Sequence, residues 1–170
     1  MATDAMTTDA TRRARLAAPA AFARSLTLGV PAALLGGAYL SQYVGGLHPC
    51  EMCYWQRWPH FFALAAAALA FLFSAPSRNA RLLTALAAIA IAVSGVIGVL
   101  HAGVEYGWWQ GLTRCSSGGA MTLDEIMNVP LVRCDQVQFS FLSVSMAGWN
   151  AIISFGSAAI VAVLLGRKSA

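Results

Sequence analysis

The sequence predicts an all-α integral membrane protein, a bundle of four transmembrane helices with both termini cytoplasmic and a long second periplasmic loop. Of its 170 residues only 11% are charged and 58% are hydrophobic, and the mean hydropathy is +0.64. Four windows contain no Asp, Glu, Lys or Arg: residues 25–50, 58–77, 82–104 and 136–166. Each supplies the roughly 20 residues that a helix needs to cross the hydrocarbon core. A soluble bundle would need polar outer faces, which these windows do not provide.

The basic residues predict the orientation. If both termini lie inside, the inner side receives eight of them: Arg12, Arg13, Arg15, Arg24, Arg78, Arg81, Arg167 and Lys168. The outer side receives three: Arg57, Arg114 and Arg133. Because cytoplasmic segments carry an excess of Lys and Arg, this distribution puts both cysteine-bearing loops on the outer side. The net charge of +4 belongs to the inner rim, so we expect no nucleic-acid partner.

The chain divides into a tail, a membrane domain and a short C-terminus. Residues 1–24 are predicted to be a disordered cytoplasmic tail, residues 25–166 the membrane domain, and residues 167–170 a cytoplasmic C-terminus. The helices are predicted at about 26–44, 53–73, 82–101 and 141–165, and the outer loops at about 45–52 and 102–140. A cleaved signal peptide is an alternative for the first helix. Its apolar run is longer than the roughly 7–15 residues of a signal core, and no good small-residue cleavage site follows.

Small residues and a capping signal refine these elements. Gly36 and Gly37 in the first helix, and Gly95 and Gly98 in the third, permit close packing against neighbouring helices. In the long loop, the stretch TLDEIMNV at residues 122–129 has a threonine N-cap followed three residues later by glutamate, which predicts a short amphipathic helix. This helix would lie on the membrane surface or pack on the bundle as a solvated helix.

Four cysteines fall in the outer loops: Cys50, Cys53, Cys115 and Cys134. An oxidising outer compartment permits disulfides, and four cysteines allow three pairings, of which the spacing favours Cys50 with Cys53 and Cys115 with Cys134. No metal site is predicted, because a zinc ribbon needs two C-x-x-C knuckles and the chain has one. Purely structural disulfides are an alternative. A C-x-x-C ring constrains little chain, however, and this is the spacing that redox enzymes use.

The C-x-x-C pair lies where a helix is predicted to start. Pro49 suits the first helical position, so Cys50 and Cys53 would occupy the opening turn, where the helix dipole favours a thiolate. If the helix is continuous, Cys50, Cys53, Arg57 and His60 lie on one face. A proline at position 59 would instead kink the helix or mark its true start.

Arg57 and His101 are ionisable side chains near the outer membrane interface, and each has a functional and a structural interpretation. Arg57 is costly at the membrane edge unless it pairs or holds a polar group, and the alternative is that it snorkels to the outer interface. His101, at the outer end of the third helix, is a candidate site residue. Glu105 would lie on the same face four residues later, so the two side chains alternatively form a pair.

The sequence resembles the disulfide bond formation protein B (DsbB) family of bacterial inner-membrane thiol oxidases over about residues 25–166. The shared parts are Pro-Cys-x-x-Cys-x-x-x-Arg at residues 49–57, the cysteine pair of the second outer loop, and CDQVQFSFLSVSMAGWN at residues 134–150. The resemblance implies a multi-pass inner-membrane protein dithiol:quinone oxidoreductase that supports disulfide bond formation. It would reoxidise a periplasmic thioredoxin-like oxidase of the DsbA type and pass two electrons to ubiquinone or menaquinone.

The resemblance also implies a role for each cysteine. Cys115 matches the loop cysteine that forms a mixed disulfide with the partner, and Cys134 matches the one that exchanges with Cys50. Cys53 matches the thiolate that faces the quinone ring. All four are therefore expected to be catalytic, with Cys53 also part of the quinone site.

Arg57 and His101 complete the quinone site that the resemblance implies. Arg57 matches the arginine that supports quinone binding. His101 falls near a histidine of the family's quinone site, although its flanking residues match poorly. Gln56 departs from the acidic residue that often precedes the arginine. Only 18 residues separate the two loop cysteines, which favours a compact loop and a partner other than the usual one.

Other functions fit parts of the pattern. A vitamin K epoxide reductase-like quinone reductase also uses four helices, a C-x-x-C and two loop cysteines, but there the loop pair precedes the C-x-x-C. A non-catalytic membrane scaffold with structural disulfides is the alternative of a different class. Electron transport outward to reduce periplasmic thiols would need cysteines within the bilayer or on the inner side, and the chain has none there.

Overall fold

A computed structural model describes residues 2–75, 77–111 and 132–166 of the chain. They form four helices, α1 (Ala2–Tyr43), α2 (Glu51–Ala70), α3 (Arg78–Glu105) and α4 (Met146–Gly166). Two short antiparallel strands, β1 (Ser140–Phe141) and β2 (Val144–Ser145), precede α4. The predicted helical fold is confirmed for this part of the chain, and the small hairpin is an addition to it.

Three of the described helices are long and apolar enough to cross a membrane. They are the Ala17–Tyr43 part of α1, α3 and α4. Helix α2 does not meet the same criterion of apolarity over its length, since its first ten residues include Gln56, Arg57 and His60. The polar side chains that weaken α2 as a span are the ones that surround the cysteines.

Helix α1 begins much earlier than the sequence predicts. We expected a disordered tail over residues 1–24 and a helix over 26–44, whereas the chain is helical from Ala2 to Tyr43. The segment 2–24 contains several alanines and no glycine, and alanine has the highest helix propensity. The helix therefore continues through Pro19 and Pro31 rather than starting after the arginines.

The other helices differ from prediction by a few residues at each end. Helix α3 runs four residues further than expected and ends in a Schellman motif, in which Gly107 has φ +72° and Trp108 N–H donates to Gly103 O over 2.8 Å. Helix α4 starts at Met146 rather than near 141, because the turn between β1 and β2 occupies Leu142 and Ser143. Cys115, the predicted helix at 122–129 and the C-terminus 167–170 lie outside the described residues.

The glycines of α3 allow close packing as predicted, but those of α1 do not. A Cβ atom on Gly98 would lie 3.0 Å from Ala147 O and 3.1 Å from Asn150 Nδ2, so α3 and α4 approach closely at this point. The prediction that Gly36 and Gly37 pack against a neighbour is wrong, because a Cβ atom on either would meet nothing within 4 Å. Gly37 instead borders a cavity between the helices.

At the C-terminal ends of α2 and α4, arginines from other helices bind backbone carbonyl groups. Arg24 of α1 donates to Ala70 O (3.1 Å) and Phe73 O (2.8 Å), and Arg81 of α3 donates to Leu165 O (2.7 Å). The last carbonyls of a helix lack helical partners and carry a partial negative charge. The end of α2 that is distant from the cysteines is therefore closed by structural contacts.

Candidate active site

The two vicinal cysteines form the N-terminus of α2. Cys50 is the N-cap and Cys53 the third helical residue, so the helix starts at Glu51, two residues before the predicted start near 53 and two after Pro49, which suits a first helical position. Both are free thiols; Cys53 N–H donates to Cys50 Sγ (3.4 Å), and the Cys50 thiol donates to Cys53 Sγ (3.2 Å). The positive end of the helix dipole and the donated hydrogen bond both favour a thiolate at Cys53.

Cys134 packs directly against this pair. It is fully buried in a cluster with Cys50, Met52 and Val104, with Cys53 at its edge. A hydrogen bond with Cys134, then one with Cys53, and then burial raise the pKa of the Cys50 thiol. Cys50 therefore retains its proton more strongly than an ordinary cysteine, which leaves Cys53 as the better candidate for the thiolate.

His101 of α3 also contacts the dithiol. Its Nε2 lies 3.4 Å from Cys50 Sγ and 3.8 Å from Glu105 Oε1, so the predicted approach of His101 and Glu105 is present. Its Nδ1 lies 2.8 Å from the side-chain nitrogen of Gln56. Because an amide nitrogen can only donate, Nδ1 accepts and the proton of a neutral ring is on Nε2. Hydrogen bonds can therefore run from His101 to Cys50 and from Cys50 to Cys53.

Cys50, Cys53 and His101 also have the spacing of a metal site. The two sulfur atoms and one ring nitrogen of His101 lie within 4.8 Å of one another. Thiolate and imidazole ligands suit zinc, so the geometry is compatible with an ion, whereas the sequence predicts none. The same closeness suits thiol chemistry, in which the Nε2–H group of His101 donates a hydrogen bond to the sulfur of Cys50.

Arg57 lies within the protein rather than at its surface. Only 7% of the residue is exposed, Nη1 donates to Gln42 Oε1 over 2.7 Å, and the guanidinium lies 4.8 Å from the Tyr39 ring centroid and 5.2 Å from that of Tyr54. The ion pairs among the described residues are His101–Glu105 and Arg133–Asp135, and neither involves Arg57. This burial disfavours snorkelling, and in the part of the chain that the structure describes no ion pair or hydrogen bond joins the guanidinium to a carboxylate.

One cavity of about 250 Å³ connects the predicted residues. Its lining includes Cys50, Cys53, Arg57, His60 and His101, and small residues of α1 close its apolar side. Helix α2 continues through its internal proline, so the one-face arrangement predicted for its side chains is present. Ligand pockets are usually about 300–1,000 Å³, so this cavity suits a single ring with a tail that leaves it. A quinone head group fits these residues in size and polarity.

A buried polar network beneath the dithiol was not predicted. Asn150 Nδ2 donates to Gln56 Oε1 (2.8 Å) and Ser94 O (3.2 Å), while Asn150 Oδ1 and Ser94 Oγ each lie 2.9 Å from His60 Nε2. The sequence predicts His60 on the cysteine face without a role, and Gln56 is there only a departure from the family pattern. Polar residues inside the charge-free windows are the signal that marks such a network.

Comparisons with known proteins agree on one family. The family model described as "Disulfide bond formation protein DsbB" matches residues 20–164. A protein named "Disulfide bond formation protein B" from Hahella chejuensis (strain KCTC 2396) is 30% identical over 150 residues, which cover 81% of this chain and 88% of the relative. No solved structure matches the chain.

Proposed function

Since this chain belongs to the DsbB family and is a multi-pass inner-membrane oxidoreductase that forms disulfide bonds, we propose that it reoxidises a periplasmic thioredoxin-like oxidase of the DsbA type and passes the electrons to a membrane quinone. The observation that supports this most directly is the shared cavity of Cys53, Arg57 and His101, with Cys134 packed on Cys50. This arrangement gives the dithiol a disulfide-exchange partner on one side and a ring-sized space on the other.

The proposed reaction has two exchanges and one oxidation. The partner's dithiol reduces the Cys115–Cys134 disulfide and becomes a disulfide itself. Cys134 then attacks the Cys50–Cys53 disulfide at Cys50, which re-forms the loop disulfide and leaves Cys50 and Cys53 reduced. The last pair gives two electrons and two protons to the quinone, which leaves as quinol. Exchange between thiols and disulfides is reversible, so the final step supplies the net oxidation.

The side chains of the cavity support that last step. The dipole of α2 and the hydrogen bond from Cys50 stabilise the Cys53 thiolate, which is the nucleophilic form of the residue. The guanidinium of Arg57 is a fixed positive charge in a site of low polarity, where it stabilises negative charge that develops on the acceptor's oxygen. His101, through Nε2, holds the Cys50 thiol in place for exchange.

We propose that all four helices cross the membrane, with both termini cytoplasmic and the cysteines periplasmic. Helix α2 has 20 residues, and at about 1.5 Å per residue it matches a hydrocarbon core of about 30 Å. Its polar first half would lie at the periplasmic interface and inside the bundle. The N-terminal part of α1, which carries three arginines at residues 12–15, would extend on the cytoplasmic side.

Stopped-flow kinetics with purified protein, a reduced thioredoxin-like oxidase and a short-chain ubiquinone test the function. We expect one quinone to be reduced for each dithiol oxidised, in parallel time courses. Thiol loss without quinone reduction would contradict the proposal. The vitamin K epoxide reductase-like and scaffold alternatives predict, respectively, quinone reduction without this partner and no turnover.

Trapping the mixed disulfide tests the order of the cysteines. With Cys134→Ser the Cys115 thiol has no loop partner, so it should attack the disulfide of the oxidised thioredoxin-like oxidase, release one partner thiol and remain joined to the other as a mixed disulfide. Peptide mapping identifies the attachment site. A partner found on Cys50 would reverse the assigned order, and Cys115→Ser, which removes the proposed attachment site, is the matched control.

A further inference from the structure

His60 is the part of the cavity that the proposed reaction does not use. Only 3% of the residue is exposed, and it borders the cavity from α2. Its Nε2 lies 2.9 Å from both Asn150 Oδ1 and Ser94 Oγ. Its Nδ1 is buried and has no hydrogen-bond partner among the residues that the structure describes. An unpaired polar atom of this kind costs free energy, and because the residue that carries it borders a ring-sized space, a ligand group is a candidate partner.

The surrounding hydrogen bonds determine which ring nitrogen carries the proton. Asn150 Nδ2 lies within hydrogen-bond distance of three oxygens, Gln56 Oε1 and both oxygens of Ser94, so the amide oxygen of Asn150 faces His60. The Ser94 hydroxyl gives its proton to Gln56 O over 2.8 Å and therefore also offers an acceptor to His60. Two acceptors require a donor at Nε2. Burial disfavours the charged ring, so Nδ1 is left with a lone pair.

That lone pair distinguishes the two redox forms of a quinone. The oxygens of a quinone are acceptors only and gain nothing from a second acceptor, whereas each hydroxyl of a quinol is a donor. His60 lies seven residues after Cys53 on one continuous helix, about 10 Å along its axis, so it lies deeper along the cavity than the sulfur atoms.

We propose that Nδ1 of His60 accepts a hydrogen bond from a hydroxyl group of the quinol, so that the cavity recognises the reduced acceptor; this inference rests on the proposed function. The reaction is balanced within that function: Cys50 and Cys53 lose two electrons and two protons and form a disulfide, and the two ring oxygens of the quinone become hydroxyl groups. The contact forms only as the hydroxyl forms. It therefore favours electron flow from the dithiol to the ring, and it slows release of the product.

Direct binding measurements test this recognition apart from turnover. In a Cys53→Ser background no electron transfer can take place, so a short-chain ubiquinone, its quinol and the quinol dimethyl ether can each be titrated by calorimetry. With His60→Leu added, we expect the Kd of the quinol to rise about three- to tenfold, as for one lost hydrogen bond. The quinone and the dimethyl ether, which have no hydroxyl to donate, should keep their Kd within about twofold.

Two controls separate recognition from damage to the cavity. Ser94→Ala removes one contact of Nε2 but keeps Nδ1, so the ratio of quinol to quinone affinity should not change. His48→Leu removes an exposed histidine at the cavity mouth and should leave quinol affinity unaltered. Equal weakening of quinol and quinone by His60→Leu, or no weakening of either, would overturn the inference. Failure of both ligands to bind when His60 is intact would instead contradict the proposed quinone function.

A measurement on unmutated His60 avoids any effect of misfolding. In protein with 15N-labelled histidine and the Cys53→Ser background, quinol should move the His60 Nδ1 resonance in the direction of hydrogen-bond acceptance. The dimethyl ether should leave it in place. If saturating quinol leaves the Nδ1 chemical shift unchanged, the proposed contact is excluded.

Discussion

The two ends of α2 each hold a shielded arginine, but the two arginines have different partners. At the C-terminal end, Arg24 donates to two backbone oxygens, Ala70 O and Phe73 O, at 3.1 and 2.8 Å. At the N-terminal end, Arg57 donates to Gln42 Oε1 at 2.7 Å and to Ala38 O at 3.4 Å, and it borders a cavity. One guanidinium binds the end of the helix that it closes, whereas the other is held by two oxygens of α1 beside the cavity.

The helix dipole explains why the same residue type serves different purposes at the two ends. A cation near a helix C-terminus offsets the partial negative charge there and stabilises the fold. Arg57 lies in the N-terminal half of α2, so its charge adds to a positive potential and favours a bound anion. The thiolate of Cys53 and the oxygen of a reduced acceptor are such anions. The Arg24 end is therefore expected to determine stability, and the Arg57 end to determine chemistry.

Cys53→Ser should have the largest effect at the dithiol end. A serine hydroxyl is not ionised near neutral pH and cannot form the disulfide with Cys50, so we expect quinone reduction to fall by at least about a thousandfold, to background. Stopped-flow absorbance of the quinone measures the rate. The thermal midpoint should change little. Retention of more than a few per cent of the activity would mean that another thiol reduces the quinone.

Arg57→Met should weaken quinone use by about 10- to 100-fold in kcat/KM. The substitution keeps much of the apolar stem and removes the charge, and a hydrogen bond to a charged group is worth about 1.5–3 kcal/mol. Steady-state kinetics against quinone concentration measure the loss. Disulfide exchange with the partner, followed by acid quenching and thiol labelling, should proceed at an unchanged rate, because Cys134 and Cys50 do not need the guanidinium. Equal losses in both steps would indicate a disturbed fold.

Arg24→Met is the matched change at the other end of α2. It removes two hydrogen bonds to carbonyl groups at a helix C-terminus, so we expect the free energy of unfolding to fall by about 1–2 kcal/mol. Chemical denaturation in detergent, followed by helical circular dichroism, measures this change. The KM for quinone should remain as in the parent chain. A raised KM without a loss of stability would remove the distinction between the two ends.

The sequence predicts the elements better than it predicts the contacts between them. Charge-free windows located the helices, and the C-x-x-C motif with Arg57 located the dithiol end of α2. The polar network was not foreseen because it depends on the close approach of α3 and α4 at Gly98, which brings Asn150 to Ser94. Long-range packing of this kind leaves no local pattern. The early start of α1 has a local cause instead, because the helix propensity of the alanines outweighs the charges of residues 12–15.

Gly36 and Gly37 test, with the smallest expected effect, the distinction between residues that determine stability and residues that determine quinone use. A Cβ atom on either meets nothing within 4 Å, so Gly36→Ala and Gly37→Ala should each stabilise α1, by up to about 1 kcal/mol. Only Gly37 lines the cavity, so a methyl group there occupies space that the acceptor would use. We expect Gly37→Ala to raise the KM for quinone about two- to fourfold, the effect of roughly one methylene group, and Gly36→Ala to leave it unchanged. Because both variants should gain stability alike, a difference between them in KM reports the cavity alone, and an equal KM would place the acceptor away from α1.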